Sequence, residues 1–213
     1  MKVDKDAMLL YVVTDRTWLG KNDLAAQVED TIKAGATFVQ LREKHLDFDA
    51  FVAQAKQIKQ VTDRYKIPFV INDNIEVALA CGADGVHVGQ KDMKAGNVRS
   101  LLGEDKILGV SANTVEQAIA AQQAGADYLG VGAVFSTSTK LDANDVTFDT
   151  LKAICNAVSI PVVAIGGISE QNLMKLQGSG VDGVAVISAI FAQPDIHAAA
   201  KRIHDLSQRM VSA

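Results

Sequence analysis

The stretch Gln40-Leu-Arg-Glu-Lys44 sets one amide and two cations at alternate positions. In an extended chain alternate side chains share a side, so Gln40, Arg42 and Lys44 together could grip a phosphorylated or heteroaromatic ligand. The competing reading is a salt-bridged strand end in which Glu43 neutralises a neighbour. Asn72-Asp73 and Gly89-Gln90-Lys91-Asp92 each follow an apolar run. Two carboxylates at neighbouring strand ends can share a Mg²⁺ whose octahedral shell is completed by water and phosphate oxygens. Taken singly, Asp73 or Asp92 serves as well for a helix N-cap. Ser111 offers the same choice between ligand contact and cap. The polar run Thr137-Ser-Thr-Lys-Leu-Asp142 interrupts an apolar stretch and is either a solvated loop or an anion cradle.

Something must hold these groups together, and the apolar runs before them say what. Leu9–Val13, Phe38–Leu41, Pro68–Ile71, Gly85–Val88, Ile107–Val110, Tyr128–Gly132, Pro161–Ile165 and Gly183–Ile187 are short and nearly continuously apolar. That pattern predicts strands covered on both faces, as in a parallel sheet. Segments of helical spacing separate them: Leu24, Val28 and Ile32 step by four, and Phe51, Ala55, Ile58 and Val61 mark one face. Thr114 with Gln117 three residues on opens a further helix in the manner of a capping box. Glycines recur just before strands, in Ala34-Gly-Ala-Thr, Cys81-Gly-Ala-Asp, Ala124-Gly-Ala-Asp and Ser179-Gly-Val-Asp, where they suit a helix C-terminus.

An eightfold strand–helix alternation, at roughly 27 residues per unit, predicts a compact (β/α)8 TIM barrel formed as a single domain over residues 1–213. An open doubly wound sheet is the alternative, and it rarely needs so many units. In such barrels the chemistry sits at the C-terminal strand ends, with phosphate often held after strands seven and eight. Gly166-Gly167 and Ile187-Ser188 stand there. His87 lies inside the fourth run, as either a barrel-lining group or a satisfied core histidine. No histidine pair has zinc-ligand spacing, and no Ser/His/Asp arrangement is evident.

Composition narrows the partners. A net charge of −4 without any block of Lys or Arg argues against nucleic acid. Met8 to Val13 is too short for a signal-peptide core or a membrane span, which predicts a cytoplasmic protein that uses no membrane. Cys81 and Cys155 sit in apolar segments and are expected to pack as small hydrophobes.

Seven of these pieces, in register from the first strand to the eighth, resemble the thiamine-phosphate synthase family. They are Gln40-Leu-Arg-Glu-Lys44, Ile71-Asn-Asp73, Gly85-Val-His-Val-Gly-Gln-Lys-Asp92, Gly109-Val-Ser111, Thr137-Ser-Thr-Lys140, Ala164-Ile-Gly-Gly-Ile168 and Val186-Ile-Ser-Ala189. The resemblance implies a Mg²⁺-dependent transferase of thiamine biosynthesis, acting on two small molecules. A hydroxymethylpyrimidine diphosphate and a thiazole phosphate would be joined to thiamine phosphate, with release of diphosphate. The resemblance implies that Gln40, Leu41, Arg42, Glu43, Lys44, Asn72, Ser111 and Lys140 hold the pyrimidine diphosphate. Arg42, Lys44, Ser111 and Lys140 would be the catalytic groups among them. Asp73 and Asp92 would bind Mg²⁺. Thr137, Ser138 and Thr139, with Gly167, Ile187 and Ser188, would hold the thiazole phosphate. The implied reaction is dissociative, so it needs fixed positive charge and no nucleophilic side chain.

The chain departs from the family's usual Gly-Pro-x-Phe/Tyr-Pro-Thr pattern after strand six, carrying Ala133 and Ser136 where prolines are common. A looser loop and a weaker grip on the thiazole phosphate are expected. The alternatives are a thiazole tautomerase on the same barrel, a phosphosugar isomerase or epimerase, and a non-catalytic sensor of phosphorylated ligands. The basic strand-two motif and the two aspartates argue against the tautomerase, and no general-base constellation suits the isomerase. Self-association into a homo-oligomer is left open.

Overall fold

The computed structural model describes residues 3–20, 23–91, 98–136 and 146–212. Eight parallel strands pair in chain order and close on themselves: β1 Leu10–Val13, β2 Phe38–Leu41, β3 Phe69–Asn72, β4 Gly85–Val88, β5 Ile107–Ala112, β6 Tyr128–Val131, β7 Val162–Ile165 and β8 Gly183–Val186. The expected barrel is therefore present, and every apolar run became a strand. Around it lie α1 Leu24–Lys33, α2 Phe48–Tyr65, α3 Ile75–Cys81, α4 Val98–Leu102, α5 Val115–Gln123, α6 Phe148–Ala157, α7 Ser188–Phe191 and α8 Ile196–Val211. The crossover from β7 to β8 carries a 3₁₀ turn, Leu173–Leu176, in place of an α-helix. Gly178 and Gly180 follow it closely, and glycine disfavours helix extension by about 1 kcal/mol per residue.

Helix boundaries follow from side-chain caps. Asp23, Asp47, Asn74, Thr114, Thr147 and Asp195 each accept a backbone N–H from the first turn of the helix they precede, which satisfies donors that have no partner within the helix. At Thr114 the expected box forms with its return bond shifted by one residue: Gln117 N donates to Thr114 Oγ1 at 3.3 Å, and Gln117 Oε1 accepts from Asn113 N, just before the cap, at 2.8 Å.

Side-chain alternation in the strands makes two cores. Outward residues such as Val12, Leu41, Ile71 and Leu129 pack against the helices, together with the faces of α1 and α2 that the spacing marked. Inward residues Tyr11, Val13, Phe38, Val70, Ile107, Tyr128, Val163 and Ala185 fill the barrel. Met8, at the end of a 3₁₀ turn over Lys5–Met8, plugs its base. Cys81 and Cys155 are free thiols, and burial pushes Cys155 up to about 12, so both pack as hydrophobes.

The recurring Gly-x-Asp/Thr stretches do more than end helices. Their third residue is a clamp at each even strand's entrance. The side chains of Thr37, Asp84, Asp127 and Asp182 accept N–H from Leu10, Phe69, Leu108 and Val162 at 2.8–2.9 Å. Each clamp residue's own N–H donates back to the carbonyl of that same strand residue. The three aspartates are neutralised in turn by Lys59, Arg99 and Lys5. The barrel base thus repeats with a period of two strands.

Candidate active site

The strand exits surround a cavity of about 220 Å³ at the opposite end of the barrel. Residues of all eight strands or their following loops line it, so it is built by closure of the barrel rather than by any one motif.

On β2, Gln40 is 4% exposed and points inward, and Arg42 follows it into the cavity. Lys44 does not. The strand stops at Leu41, so the alternation that placed Gln40, Arg42 and Lys44 together ends there. Lys44 instead lines a neighbouring recess of about 410 Å³ with Asp15, Thr17 and Trp18, and Arg42 borders both spaces. Leu41 faces the helices and is fully buried in the outer core, so its side chain lies away from the cavity. Glu43 Oε1 pairs with Arg16 Nε at 2.6 Å, and Arg42 Nη1 meets Asp15 Oδ2 at 3.3 Å. The strand-two motif is thus salt-bridged and also faces the cavity.

On β3, Asn72 lines the cavity and its amide donates to Asp73 Oδ2 at 2.7 Å. Asp73 is exposed at the rim, in a left-handed conformation with φ of 60°. The helix-capping alternative for Asp73 does not hold, because Asn74 caps α3. The same is true of Ser111: it lies within β5, and Thr114 performs the capping. Ser111 Oγ lies 3.0 Å from His87 Nε2, and both residues line the cavity. His87 is at once a lining residue and a satisfied one, since its Nδ1 lies 3.0 Å from the Tyr128 hydroxyl.

The far wall comes from the last three strands. Gly166 and Gly167 both carry positive φ. A Cβ at Gly167 would stand 2.5 Å from the Ser136 carbonyl oxygen and 2.6 Å from that of Phe135. Only glycine lets the two loops approach so closely, and Phe135 N donates to Gly166 O at 3.1 Å across the gap. Asn172 fixes the β7 loop by donating to Gly167 O at 2.8 Å. Ile187 and Ser188 stand beside these glycines at the start of α7, whose first amides have no partner inside the helix. Asp92, Thr137, Ser138, Thr139 and Lys140 lie outside the described residues. The structure therefore brings together Gln40, Arg42, Asn72, Ser111, Gly167, Ile187 and Ser188, with Asp73 at the rim and Lys44 in the recess beside them.

Sequence reading missed Tyr11, Asn113 and Tyr128. Tyr11 and Asn113 line the cavity, and Tyr128 is fully buried beneath it. The available signal was parity. Tyr11 pairs with Phe38 in register, and Tyr128 with Gly109, so each shares the inward face with Gln40 and Ser111 respectively.

The family model described as thiamine monophosphate synthase matches residues 10–190. Thiamine-phosphate synthase of Clostridium tetani is 53% identical over 91% of this chain and 93% of its own length. The enzyme of the same name from Ruminiclostridium cellulolyticum is 52% identical over 92% and 94%. Among solved structures, thiamine phosphate pyrophosphorylase from Pyrococcus furiosus superposes with a TM-score of 0.88 at 35% identity, covering 97% of this chain and 98% of that one.

Proposed function

The chain belongs to the thiamine-phosphate synthase family, and from that premise we propose how its strand ends carry out the condensation. The reaction joins 4-amino-2-methyl-5-hydroxymethylpyrimidine diphosphate to 4-methyl-5-(2-phosphooxyethyl)thiazole and releases diphosphate. The observation that supports our division of the site is the single cavity shared by two unlike walls. Gln40, Arg42, Asn72 and Ser111 give one wall amides, a cation and a hydroxyl, while the Gly166–Gly167 turn and the helix start at Ser188 form the other.

The polar wall suits the pyrimidine diphosphate. Gln40 and Asn72 hydrogen-bond the ring, and Arg42 sits where negative charge grows as the carbon–oxygen bond to diphosphate breaks. Diphosphate leaves with the bonding electron pair, and the pyrimidine methylene becomes a stabilised carbocation. Lys44, in the recess that shares Arg42, meets the departing diphosphate, and Lys140 completes the positive field. Preorganised donors of this kind are worth roughly 3–4 kcal/mol each. The glycine wall holds the thiazole phosphate through backbone N–H groups, with Thr137, Ser138 and Thr139 adding hydroxyls. The thiazole nitrogen lone pair then forms the new carbon–nitrogen bond, so no nucleophilic side chain takes part. Holding both partners in one cavity removes much of the entropic barrier. Apolar lining by Val163, Ile165 and Ile168 keeps water from capturing the carbocation first.

The donor chemistry fits a divalent cation. Asp73 offers hard carboxylate oxygen at the rim, is not consumed as a helix cap, and is steadied by Asn72. Asp73 and Asp92 would hold Mg²⁺, which when bound supplies positive charge to the diphosphate oxygens. The enzyme would work in the cytoplasm on free small molecules, without nucleic acid or membrane. Among the described residues no helix is long and apolar enough to cross a membrane.

Mixing both substrates with Mg²⁺ should yield thiamine phosphate and diphosphate, separable by chromatography. Absence of product with the wild-type chain refutes the functional assignment. Undiminished activity in the Asp73→Asn, Asp92→Asn double variant refutes the metal assignment alone.

A further inference from the structure

Beneath the polar wall runs a hydrogen-bond chain contributed by five different strands. Gln40 Nε2 donates to the Tyr11 hydroxyl at 2.5 Å, and the Tyr11 and Tyr128 hydroxyls lie 2.7 Å apart. Tyr128 reaches His87 Nδ1 at 3.0 Å, and His87 Nε2 reaches Ser111 Oγ at 3.0 Å. Each phenol carries one proton, so the direction of the first bond fixes the rest. Tyr11, accepting from Gln40, donates to Tyr128. Tyr128 then donates to His87 Nδ1, which places the imidazole proton on Nε2, facing Ser111. Ser111, accepting there, is left to donate its own proton into the cavity. Reversing the Gln40 amide would reverse every link.

The rings have little room to escape this arrangement. Tyr11 and Tyr128 are 1% and 0% exposed, with centroids 4.5 Å and 5.4 Å from Phe38. The Tyr128 ring crosses the space where a side chain on Gly109 would be. Burial raises both phenols well above the ordinary tyrosine range, so each stays neutral and keeps its single proton. Close packing blocks alternative rotamers, and the ends of the chain are the only members with polar groups left for a ligand.

We propose that Tyr11, Tyr128 and His87 are positioning residues that act as one unit, fixing which hydrogen-bonding groups Gln40 and Ser111 present to the pyrimidine. This rests on the assignment of the pyrimidine diphosphate to that wall. A buried tyrosine pair that served packing alone would affect stability and both substrates alike. The chain predicts effects confined to one substrate and coupled between residues that do not bond each other.

The test is a double-mutant cycle of Tyr11→Phe with Ser111→Ala, with Tyr128→Phe as an interruption at the centre. Each folded variant, checked by circular dichroism and thermal melting, is assayed with the two substrates varied separately. The kcat/KM for pyrimidine diphosphate should fall about tenfold or more in Tyr128→Phe, while the KM for thiazole phosphate stays unchanged. Tyr11→Phe should cost less in the Ser111→Ala background than alone, because only its effect on Gln40 remains to be lost. His87→Gln, whose amide can still donate toward Ser111, should recover part of what His87→Ala loses. Additive effects in the cycle, equal losses toward both substrates, or wild-type kinetics in Tyr128→Phe overturn the proposal. If Tyr128→Phe does not fold, the cycle at Tyr11 and Ser111 decides alone. Unaltered pyrimidine diphosphate kinetics in Ser111→Ala would instead overturn the substrate assignment, and this proposal with it.

Discussion

The two ends of the barrel are built from the same strands on opposite plans. At the base, Thr37, Asp84, Asp127 and Asp182 repeat one clamp, each binding a residue at the start of the preceding strand. At the mouth the corresponding positions all differ: an arginine after β2, an asparagine and aspartate at β3, a serine in β5, a glycine pair after β7. The base only has to close, so one solution serves every strand pair. The mouth has to tell two phosphorylated molecules apart, so each exit carries its own group. Charges are treated differently too. The base aspartates are paired with Lys59, Arg99 and Lys5, whereas Arg42, though paired with Asp15, borders two open spaces.

Substitutions at either end should separate activity from stability. The largest effect is expected for Arg42→Ala, with kcat/KM for pyrimidine diphosphate falling about 100-fold or more and the urea midpoint almost unmoved. A matching loss of stability would mean that Arg42 is part of the frame. At the base, Asp127→Ala leaves the Leu108 N–H without its partner and takes the counter-charge from the Arg99 guanidinium. It should lower unfolding free energy by about 2–4 kcal/mol, while the folded fraction keeps its kcat. A changed KM in that variant would show that the base shapes the mouth.

Gly109→Ala strikes between the two ends, since its Cβ would run into the Tyr128 ring. A loss of about 1–3 kcal/mol in stability is expected, together with impaired pyrimidine diphosphate kinetics. Intact kinetics at lowered stability would disconnect the barrel interior from the site. The smallest effect belongs to the mouth's loop. Ala133→Pro with Ser136→Pro should add about 0.4–1 kcal/mol per site and lower the KM for thiazole phosphate. An unchanged or higher KM would sink the idea that the missing prolines loosen this loop.

The base was legible in sequence as a recurring Gly-Ala-Asp pattern, although its purpose was not. Glycine was recognised as a helix end, and Gly82 indeed caps α3 with φ of 73°. Yet the aspartate's partner lies a full helix earlier in the chain, where local pattern cannot point. Strands were legible because both faces are buried, which writes nearly unbroken apolarity into each run. The mouth was legible as far as strand alternation holds. Gln40 and Arg42 followed it, and Lys44 did not, because β2 ends at Leu41 and extended geometry ends with it. The choice between cap and ligand for Asp73 and Ser111 was open in sequence, because each precedes a helix. The cap alternative fell away only when Asn74 and Thr114 proved to be nearer the helix starts.

Sequence by itself determined the strand–helix rhythm, the barrel class and the polar groups at each exit, since these depend on local periodicity and residue type. Tertiary structure alone decided which groups face one another. Tyr11 and Tyr128 are 117 residues apart and share a hydrogen bond only because closing the barrel turns both inward at neighbouring levels. The single proton of each phenol is a local property. The direction in which it points is set by the partners that closure supplies.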